Sequence, residues 1–291
     1  MMSIAISKKI PWQIKIVAKV LLSRFPVKYR LWRHLNLFRH GEMEKPEYAY
    51  KVFKGHFDKV AFPAKNGAFV CLEIGPGDSL LSALIAHAFG ACNSYLVDVG
   101  SFARNDLKPY RATIGYLQEM GLPLDDLAKA NSLKELLVEC GAHYMTQGLV
   151  SLRSIRSQSV HFIWSQAVCE HIRRGEFLDT MLELRRVIRS DGVCSHRVDL
   201  KDHLGGALNN LRFSDRFWEA DFLAKSGFYT NRIRYNEMLD LFKKANFAAE
   251  VIKVEHWDTL PTPKAKLSHH FKKLPIDELC VSGFNVILRP L

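Results

Sequence analysis

The chain has 291 residues, of which 48% are hydrophobic, and a formal net charge of +11 at pH 7. This length and apolar content are enough for one large α/β domain with an extension, and they exclude a disordered or fibrous chain. Nine of the lysines and arginines fall within residues 1–41, which contain no acidic residue, whereas the other 250 residues hold 32 basic and 30 acidic ones. The positive charge therefore belongs to the N-terminus, which argues against a nucleic-acid-binding surface over the whole protein.

The N-terminal residues 1–62 are predicted to form a basic helical extension. Apolar residues repeat at helical spacing over residues 10–25, and two further helices are predicted over 29–40 and 46–60. The uninterrupted apolar stretches within residues 10–25 are too short for this helix to span a membrane. Its lysines lie off the apolar stripe, so this helix either rests on an anionic membrane surface or packs against the rest of the chain.

The six cysteines contain no C-x-x-C pair and are scattered through apolar runs. This usage predicts reduced thiols in a cytoplasmic protein. The basic amphipathic start adds the option that the protein sits peripherally at the inner face of a membrane. The cysteines are Cys71, Cys92, Cys140, Cys169, Cys194 and Cys280.

The stretch AFVCLEIGPGDS, residues 68–79, predicts a buried strand followed by a glycine turn and a helix. These elements form the first half of a nucleotide-binding βαβ unit. Gly75 and Gly77 lack a Cβ, so a ligand can lie directly on the turn. Glu73 and Asp78 flank the turn and suit hydroxyl or ammonium groups, which favours a ligand without phosphates.

A third acidic residue, Asp98, stands near the end of the next predicted strand, residues 94–99. In βαβ nucleotide sites an acid at this place accepts hydrogen bonds from ribose hydroxyls. We therefore predict that a nucleoside bridges the ends of the first two strands.

The rest of the chain predicts further strands and helices in alternation, as expected for a parallel sheet covered by helices. Residues 189–192 predict a turn with Gly192 in a left-handed conformation. The predicted strands are 143–146, 159–165, 193–199, 248–256 and 280–288, and the predicted helices are 111–120, 124–139, 177–188 and 236–245.

Residues 196–236 are rich in side chains that can act as acids, bases or binding groups for a ligand. The pattern H-x-x-D-x-x-D-H, formed by His196, Asp199, Asp202 and His203, lies at the predicted carboxyl end of a strand, where open α/β sheets bind ligands. Basic and aromatic residues alternate after it and suit an anionic acceptor, or else form a charged surface lid. The spacing matches no tight metal signature, so no metal is predicted.

These motifs resemble those of the class I S-adenosylmethionine (SAM)-dependent methyltransferases, of the small-molecule or polysaccharide-pathway type. E-x-G-x-G after a buried strand is similar to their motif I, and RVIRSDGV is similar to the turn before their fifth strand. The likeness covers residues 66–290 and implies a methyltransferase domain over 63–291. The implied fold is an α/β, Rossmann-like, seven-stranded sheet of order 3-2-1-4-5-7-6, with strand 7 antiparallel.

The resemblance also implies a cofactor and the residues that hold it. SAM would be bound at the glycine turn and at the ends of the first four strands. The implied cofactor-binding residues are Glu73, Gly75, Gly77, Asp78 and Asp98, with Gln147 and Gly148 at the adenine and Ser165 and Gln166 in the methyl-donor pocket.

The implied reaction is methyl transfer to a hydroxyl of a sugar or similar small molecule, with lipid-linked and polysaccharide-precursor acceptors among the options. An attacking alcohol must lose its proton, which His203 or His196 could accept while Asp199 or Asp202 orients it. Two alternatives stay open: an RNA or protein methyltransferase that docks through the basic arm, and a non-catalytic interaction protein that kept the fold. The oligomeric state is not predicted.

Overall fold

The computed structural model describes residues 42–60, 68–122, 124 and 127–291. The helices predicted over 10–25 and 29–40 and the domain boundary after residue 62 lie outside these residues. The division into extension and domain therefore remains a prediction. Among the described residues, no helix is both long and apolar enough to cross a membrane.

In the part of the chain that the structure describes, seven strands form one sheet of order β3-β2-β1-β4-β5-β7-β6. All neighbouring pairs are parallel except β5–β7 and β6–β7, so β7 alone runs against the rest. This confirms the predicted fold, including the antiparallel last strand. The strands are β1 Phe69–Ile74, β2 Ala91–Val97, β3 Ala142–Met145, β4 Val160–Gln166, β5 Ile188–Asp199, β6 Phe247–His256 and β7 Val281–Pro290.

Helices connect the strands and cover both faces of the sheet. The long insertion between β2 and β3 and the segment between β5 and β6 carry several short helices. The described helices are α1 Pro46–Lys59, α2 Leu81–Ala88, α3 Lys108–Glu119, α4 Leu133–Glu139, α5 Leu149–Ser154, α6 Phe177–Val187, α7 Asp215–Trp218, α8 Asp221–Ala224, α9 Tyr235–Lys244, α10 His269–Lys272 and α11 Ile276–Cys280.

Two predicted elements differ from the structure for local reasons. The helix predicted over 124–139 is interrupted, because Ser132 begins a new helix by accepting a hydrogen bond from the Glu135 N–H at 3.2 Å. The left-handed turn predicted at Gly192 is wrong, since β5 starts at Ile188 and runs through it. A Cβ on Gly192 would lie 2.6 Å from Ile188 Cγ1, so close packing explains this glycine.

The core has two layers, one on each face of the sheet. Helices α1, α2 and α3 pack on one face, and α5, α6 and α9 pack on the other. Phe53 of α1 is fully buried and meets Phe162 and Trp164 of β4 edge to face. Helix α1, predicted as part of the extension, therefore contributes to the same core as the sheet. The six cysteines are free, and Cys71, Cys140, Cys169 and Cys194 are buried.

A buried histidine connects α1 to the middle of the sheet. The Nε2–H of His56 donates to Gln166 Oε1 at 3.0 Å, and its Nδ1 accepts from the Ser195 hydroxyl at 2.7 Å. His56 is 2% exposed, and desolvation lowers its pKa to about 4. On the opposite face, desolvation lowers the pKa of His196 to about 3. Both rings are therefore neutral in the folded protein at neutral pH.

We predict that this pair makes the protein sensitive to acid. Below about pH 6.5 the unfolded chain protonates both histidines while the folded chain does not, so stability falls as the pH decreases. The expected loss is roughly 1.4 kcal/mol per pH unit for each histidine. Thermal unfolding between pH 7.5 and 5 should show a shallower decline for His56→Gln than for wild type. His269→Gln, at an exposed site, is the control, and equal slopes in all three proteins would contradict the prediction.

Candidate functional site

The glycine turn lies at the carboxyl end of β1 and is held by its neighbours. Gly75 and Gly77 have φ of +67° and +68°, values that side chains rarely adopt. The Gly75 N–H donates to the Val97 carbonyl at 2.8 Å. A Cβ on Gly75 would lie 2.7 Å from both methyl groups of Val168, so glycine is required there for two independent reasons.

Asp98 is fastened to this turn by backbone N–H groups. Its Oδ2 accepts from the Gly77 N–H at 2.9 Å, and its Oδ1 accepts from the Val99 N–H at 2.7 Å. Hydrogen bonds to the ionised form favour a carboxylate over a carboxylic acid. The structure therefore places a negative charge beside the glycine turn, where the sequence predicts the ribose to bind.

Glu73 is a second acidic group at the same turn and lies deeper. It is 4% exposed and accepts a hydrogen bond from the Ser82 hydroxyl. Burial raises the pKa of Glu73 to about 8; the Ser82 hydrogen bond opposes this rise and the nearby charge of Asp98 adds to it. A cationic ligand group would therefore find an acid here that ionises readily in its presence.

The other residues predicted for the cofactor's nucleoside end gather around Asp98. The Gly148 N–H donates to the Asp98 carbonyl at 2.8 Å, and Gln147 beside it is exposed. Asp78 is buried, and its carbonyl accepts from the Arg104 N–H at 3.3 Å. The structure thus brings the ends of β1, β2 and β3 to one place.

Tyr144 of β3 holds the loop after Asp98 through hydrogen bonds. Its hydroxyl accepts from the N–H groups of Phe102 and Ala103, at 2.9 and 3.3 Å, and donates to the Gly100 carbonyl at 3.1 Å. The sequence analysis did not identify Tyr144, because its partners lie more than 40 residues away. Its contacts fix the loop that follows Asp98.

Ser165 and His196, both predicted site residues, are enclosed in the core. Each is fully buried, and the Ser165 hydroxyl is 2.7 Å from His196 Nδ1. The His196 ring stacks on Phe242 of α9. A base must reach the proton that it removes, so this placement argues against His196 in that role. Gln166 points to the opposite face, where it binds His56.

Asp202 binds its own loop and does not orient a histidine. Its Oδ1 accepts from three successive backbone N–H groups, those of residues 204–206, at 2.8–3.1 Å. Its Oδ2 accepts from the Asn209 N–H at 2.5 Å. Asp199, at the end of β5, accepts from the Lys201 N–H at 3.0 Å. These contacts shape the loop after β5, which carries His203.

His203 is exposed and lies against a second exposed histidine, His171. Their ring centroids are 4.8 Å apart. Because His171 Nδ1 is 2.8 Å from the Tyr229 carbonyl, which can only accept, Nδ1 carries the proton. In the neutral ring the lone pair is then on Nε2. The structure brings together two histidines that are 32 positions apart, and the C-E-H string at residues 169–171 was the available signal for the second.

Two arginines from the basic stretch have structural roles. Arg234 is buried, and its guanidinium donates to the carbonyls of Leu200, Glu278, Leu279 and Val281. Arg232 lies over the rings of Trp218 and Phe271 and pairs with Asp215. These two cations stabilise the segments after β5 and before β7, so they do not offer charge to an anionic acceptor.

A surface cavity of about 520 Å³ lies between α4 and the edge strand β3, and Tyr144 and Asn105, next to the loop after Asp98, are among its walls. Its walls include Tyr95, Leu137, Val138 and His143, which are mostly apolar side chains. The acidic groups and the histidine pair described above do not line it and therefore lie outside this cavity.

No protein-family model and no curated protein matches this chain. Among solved structures, a SAM-dependent methyltransferase from Methanosarcina mazei is 16% identical, with a TM-score of 0.46 over 80% of this chain and 97% of that one. The CurJ carbon methyltransferase is 11% identical, with a TM-score of 0.43 over 84% of this chain; this chain spans 54% of that structure's length.

A third similar structure is phosphoethanolamine N-methyltransferase 2 from Haemonchus contortus, in complex with S-adenosyl-L-methionine. It is 13% identical, with a TM-score of 0.43 over 84% of this chain and 56% of that one. None of these likenesses assigns a substrate, so the chemistry of this chain has to be derived from its own residues.

Proposed function

We propose that this protein is a SAM-dependent methyltransferase that methylates a hydroxyl group of a sugar or a similar small molecule. The observation that carries the proposal is the glycine turn after β1, with the carboxylate of Asp98 bound to it and the buried acid Glu73 beneath it. This turn lies at the carboxyl edge of a sheet of order 3-2-1-4-5-7-6, where open α/β sheets bind ligands.

The residues at the turn fit SAM. Two glycines with positive φ shape the turn over which the ligand would lie. Glu73 would bind the ammonium of the methionine end, and Asp98 would accept from the ribose hydroxyls. Gln147 and Gly148 would lie toward the adenine. SAM supplies, when bound, an electrophilic methyl group on a sulfonium.

The protein's own task is then to align an acceptor oxygen with that methyl group and to remove a proton. Alignment of two bound reactants can supply a large part of a rate enhancement. His203, next to His171 on the exposed rim, would accept the hydroxyl proton. The hydrogen bond from His171 to the Tyr229 carbonyl fixes one ring of this pair in place.

A hydroxylated acceptor suits this site because a histidine base assists oxygen nucleophiles, whose protons must leave during attack. The basic N-terminal residues 1–41 would bring the protein to an anionic membrane surface, which favours a lipid-linked sugar or a polysaccharide precursor as the acceptor. In this proposal the protein works in the cytoplasm, at the inner face of a membrane.

We predict that Glu73→Gln and Asp98→Asn each weaken the binding of SAM and S-adenosylhomocysteine by about tenfold, because each removes a charge-assisted contact. Titration calorimetry with both ligands measures the effect. Glu73→Gln should not lower the stability at pH 7, since burial already keeps that carboxyl largely protonated.

The matched control is Asp191→Asn. Asp191 is an exposed acid at the opposite end of β5 and pairs with Arg189, so this change should leave both affinities unaltered. Wild-type protein that is folded and yet binds neither ligand at millimolar concentration would refute the proposed function.

A further inference from the structure

Glu170 is a buried carboxyl group that the chemistry proposed above does not use. It is 2% exposed, and neither carboxyl oxygen has a hydrogen bond of normal distance and angle within the described part of the chain, although the backbone N–H groups of residues 170 and 199 lie nearby. Buried polar groups in native proteins nearly always have a partner, and each exception calls for an explanation, such as a bound ion or a functional role. The missing partner of Glu170 is therefore best sought in a ligand.

Asn231 holds the turn that carries Glu170. Its side-chain amide donates to the carbonyls of Cys169 and Ile172, at 2.8 and 2.9 Å, and its backbone N–H donates to the Glu170 carbonyl at 2.7 Å. Asn231 is itself 1% exposed. A carboxyl group on a turn held by three such bonds is preorganised, as expected of a group positioned for a ligand.

The same turn touches the proposed donor site. Val168, two residues before Glu170, packs directly against Gly75 of the glycine turn. On its other side Glu170 lies near Asp199, the last residue of β5, with which it interacts electrostatically. The turn that carries Glu170 thus lies between the glycine turn and the end of β5, at the edge of the sheet where the methyl group would be transferred.

We propose that the carboxylate of Glu170 faces the sulfonium of SAM and binds it as a counter-ion, which lets the protein distinguish SAM from S-adenosylhomocysteine. The inference rests on the proposed function, since it assumes that SAM occupies the glycine turn. Away from water, opposite charges attract strongly. S-adenosylhomocysteine has an uncharged thioether sulfur and shares the amino-acid, ribose and adenine groups of SAM, so it lacks only the methyl group and the positive charge that would make this contact.

The pairing should depend on pH. Burial raises the pKa of Glu170 to about 8, and the charge of Asp199 adds to the rise, whereas the backbone N–H groups of residues 170 and 199 and the Arg197 cation oppose it. The groups within electrostatic range are Asp199 and Arg197 on β5 and the Cys169 thiol in the turn. Without SAM the carboxyl keeps its proton at neutral pH, and binding of the sulfonium releases that proton.

The test compares SAM and S-adenosylhomocysteine by titration calorimetry, with the full chain and with Glu170→Gln, from pH 7 to 9. Glutamine has the same shape but cannot ionise. We expect Glu170→Gln to weaken SAM about tenfold and to change S-adenosylhomocysteine less than twofold. In wild type, the preference for SAM should grow as the pH rises, and SAM should release more protons than S-adenosylhomocysteine in buffers of different ionisation enthalpy.

Glu73→Gln is the matched control, because it makes the same change at the amino-acid end and should weaken both ligands equally. An unchanged SAM preference in Glu170→Gln at every pH would overturn the inference while leaving the proposed function intact. Equal proton release by both ligands in wild type would also overturn it, and that measurement requires no variant. Wild-type protein that binds neither ligand would instead refute the proposed function, and the inference with it.

Discussion

Gly75→Ala is expected to destabilise the protein by about 2–4 kcal/mol and to weaken S-adenosylhomocysteine binding at least tenfold. Its φ of +67° costs alanine about 1 kcal/mol. The added Cβ would also lie 2.7 Å from both methyl groups of Val168, and overpacking of this kind costs about 1–3 kcal/mol. Relief requires the glycine turn or the Val168 turn to move, which displaces groups at the proposed donor site. Urea denaturation and titration calorimetry measure the two effects.

Gly121→Ala separates backbone strain from the steric clash. Gly121 has a similar φ of +77°, but a Cβ there would meet nothing within 4 Å. This variant should lose only about 1 kcal/mol and bind S-adenosylhomocysteine like the wild type. If the two glycine variants were equally stable and bound the ligand equally well, the prediction that the close contact between Gly75 and Val168 affects stability and binding would be wrong.

His203→Ala is expected to lower turnover about 100-fold or more, because a positioned base contributes a factor of roughly 10²–10⁴ to proton removal. The affinity for SAM should not change, since His203 lies on the loop after β5 and not at the glycine turn. The measurement is the rate of S-adenosylhomocysteine formation, with the best acceptor from a panel of hydroxylated sugars. The stability of the variant should match that of wild type, because His203 is exposed.

His269→Ala is the control for this experiment, as it removes another exposed histidine from the short helix α10. Its turnover should equal that of the wild type. Unaltered turnover in His203→Ala would remove His203 from the proposed role and leave His171 as the histidine to test at the rim.

Much of the fold was predictable because its signals are local. Apolar runs marked β1 and β4, glycines marked the turn after β1, and two late apolar runs marked β6 and β7, whose antiparallel pairing was implied by the resemblance. Errors arose where local signals had two meanings. A glycine at position 192 is compatible with a left-handed turn or with close packing within a strand. The position of the Ile188 side chain beside Gly192 shows that close packing is the reason.

The cluster at the glycine turn was also predictable from spacing. The carboxyl ends of parallel strands meet at one edge of a sheet, so Glu73 and Asp98 had to lie near each other once β1 and β2 paired. The structure adds what spacing does not contain. Glu73 is buried with a raised pKa, and Asp98 is held by two backbone N–H groups.

The roles of individual polar side chains were decided by tertiary structure. His196 and His203 are seven residues apart and chemically identical, yet one faces the covered side of β5 and the other an exposed loop. Asp202 bonds to its own loop, and the unpartnered carboxyl of Glu170 is enclosed by a turn that Asn231 fixes from 61 residues away. The sequence by itself determined the strands and the glycine turn, because these follow from short-range pattern, whereas the strand order was implied only by the resemblance to a known family. Burial and hydrogen-bond partners decided which acids and histidines can act, because they depend on contacts between segments distant in the chain.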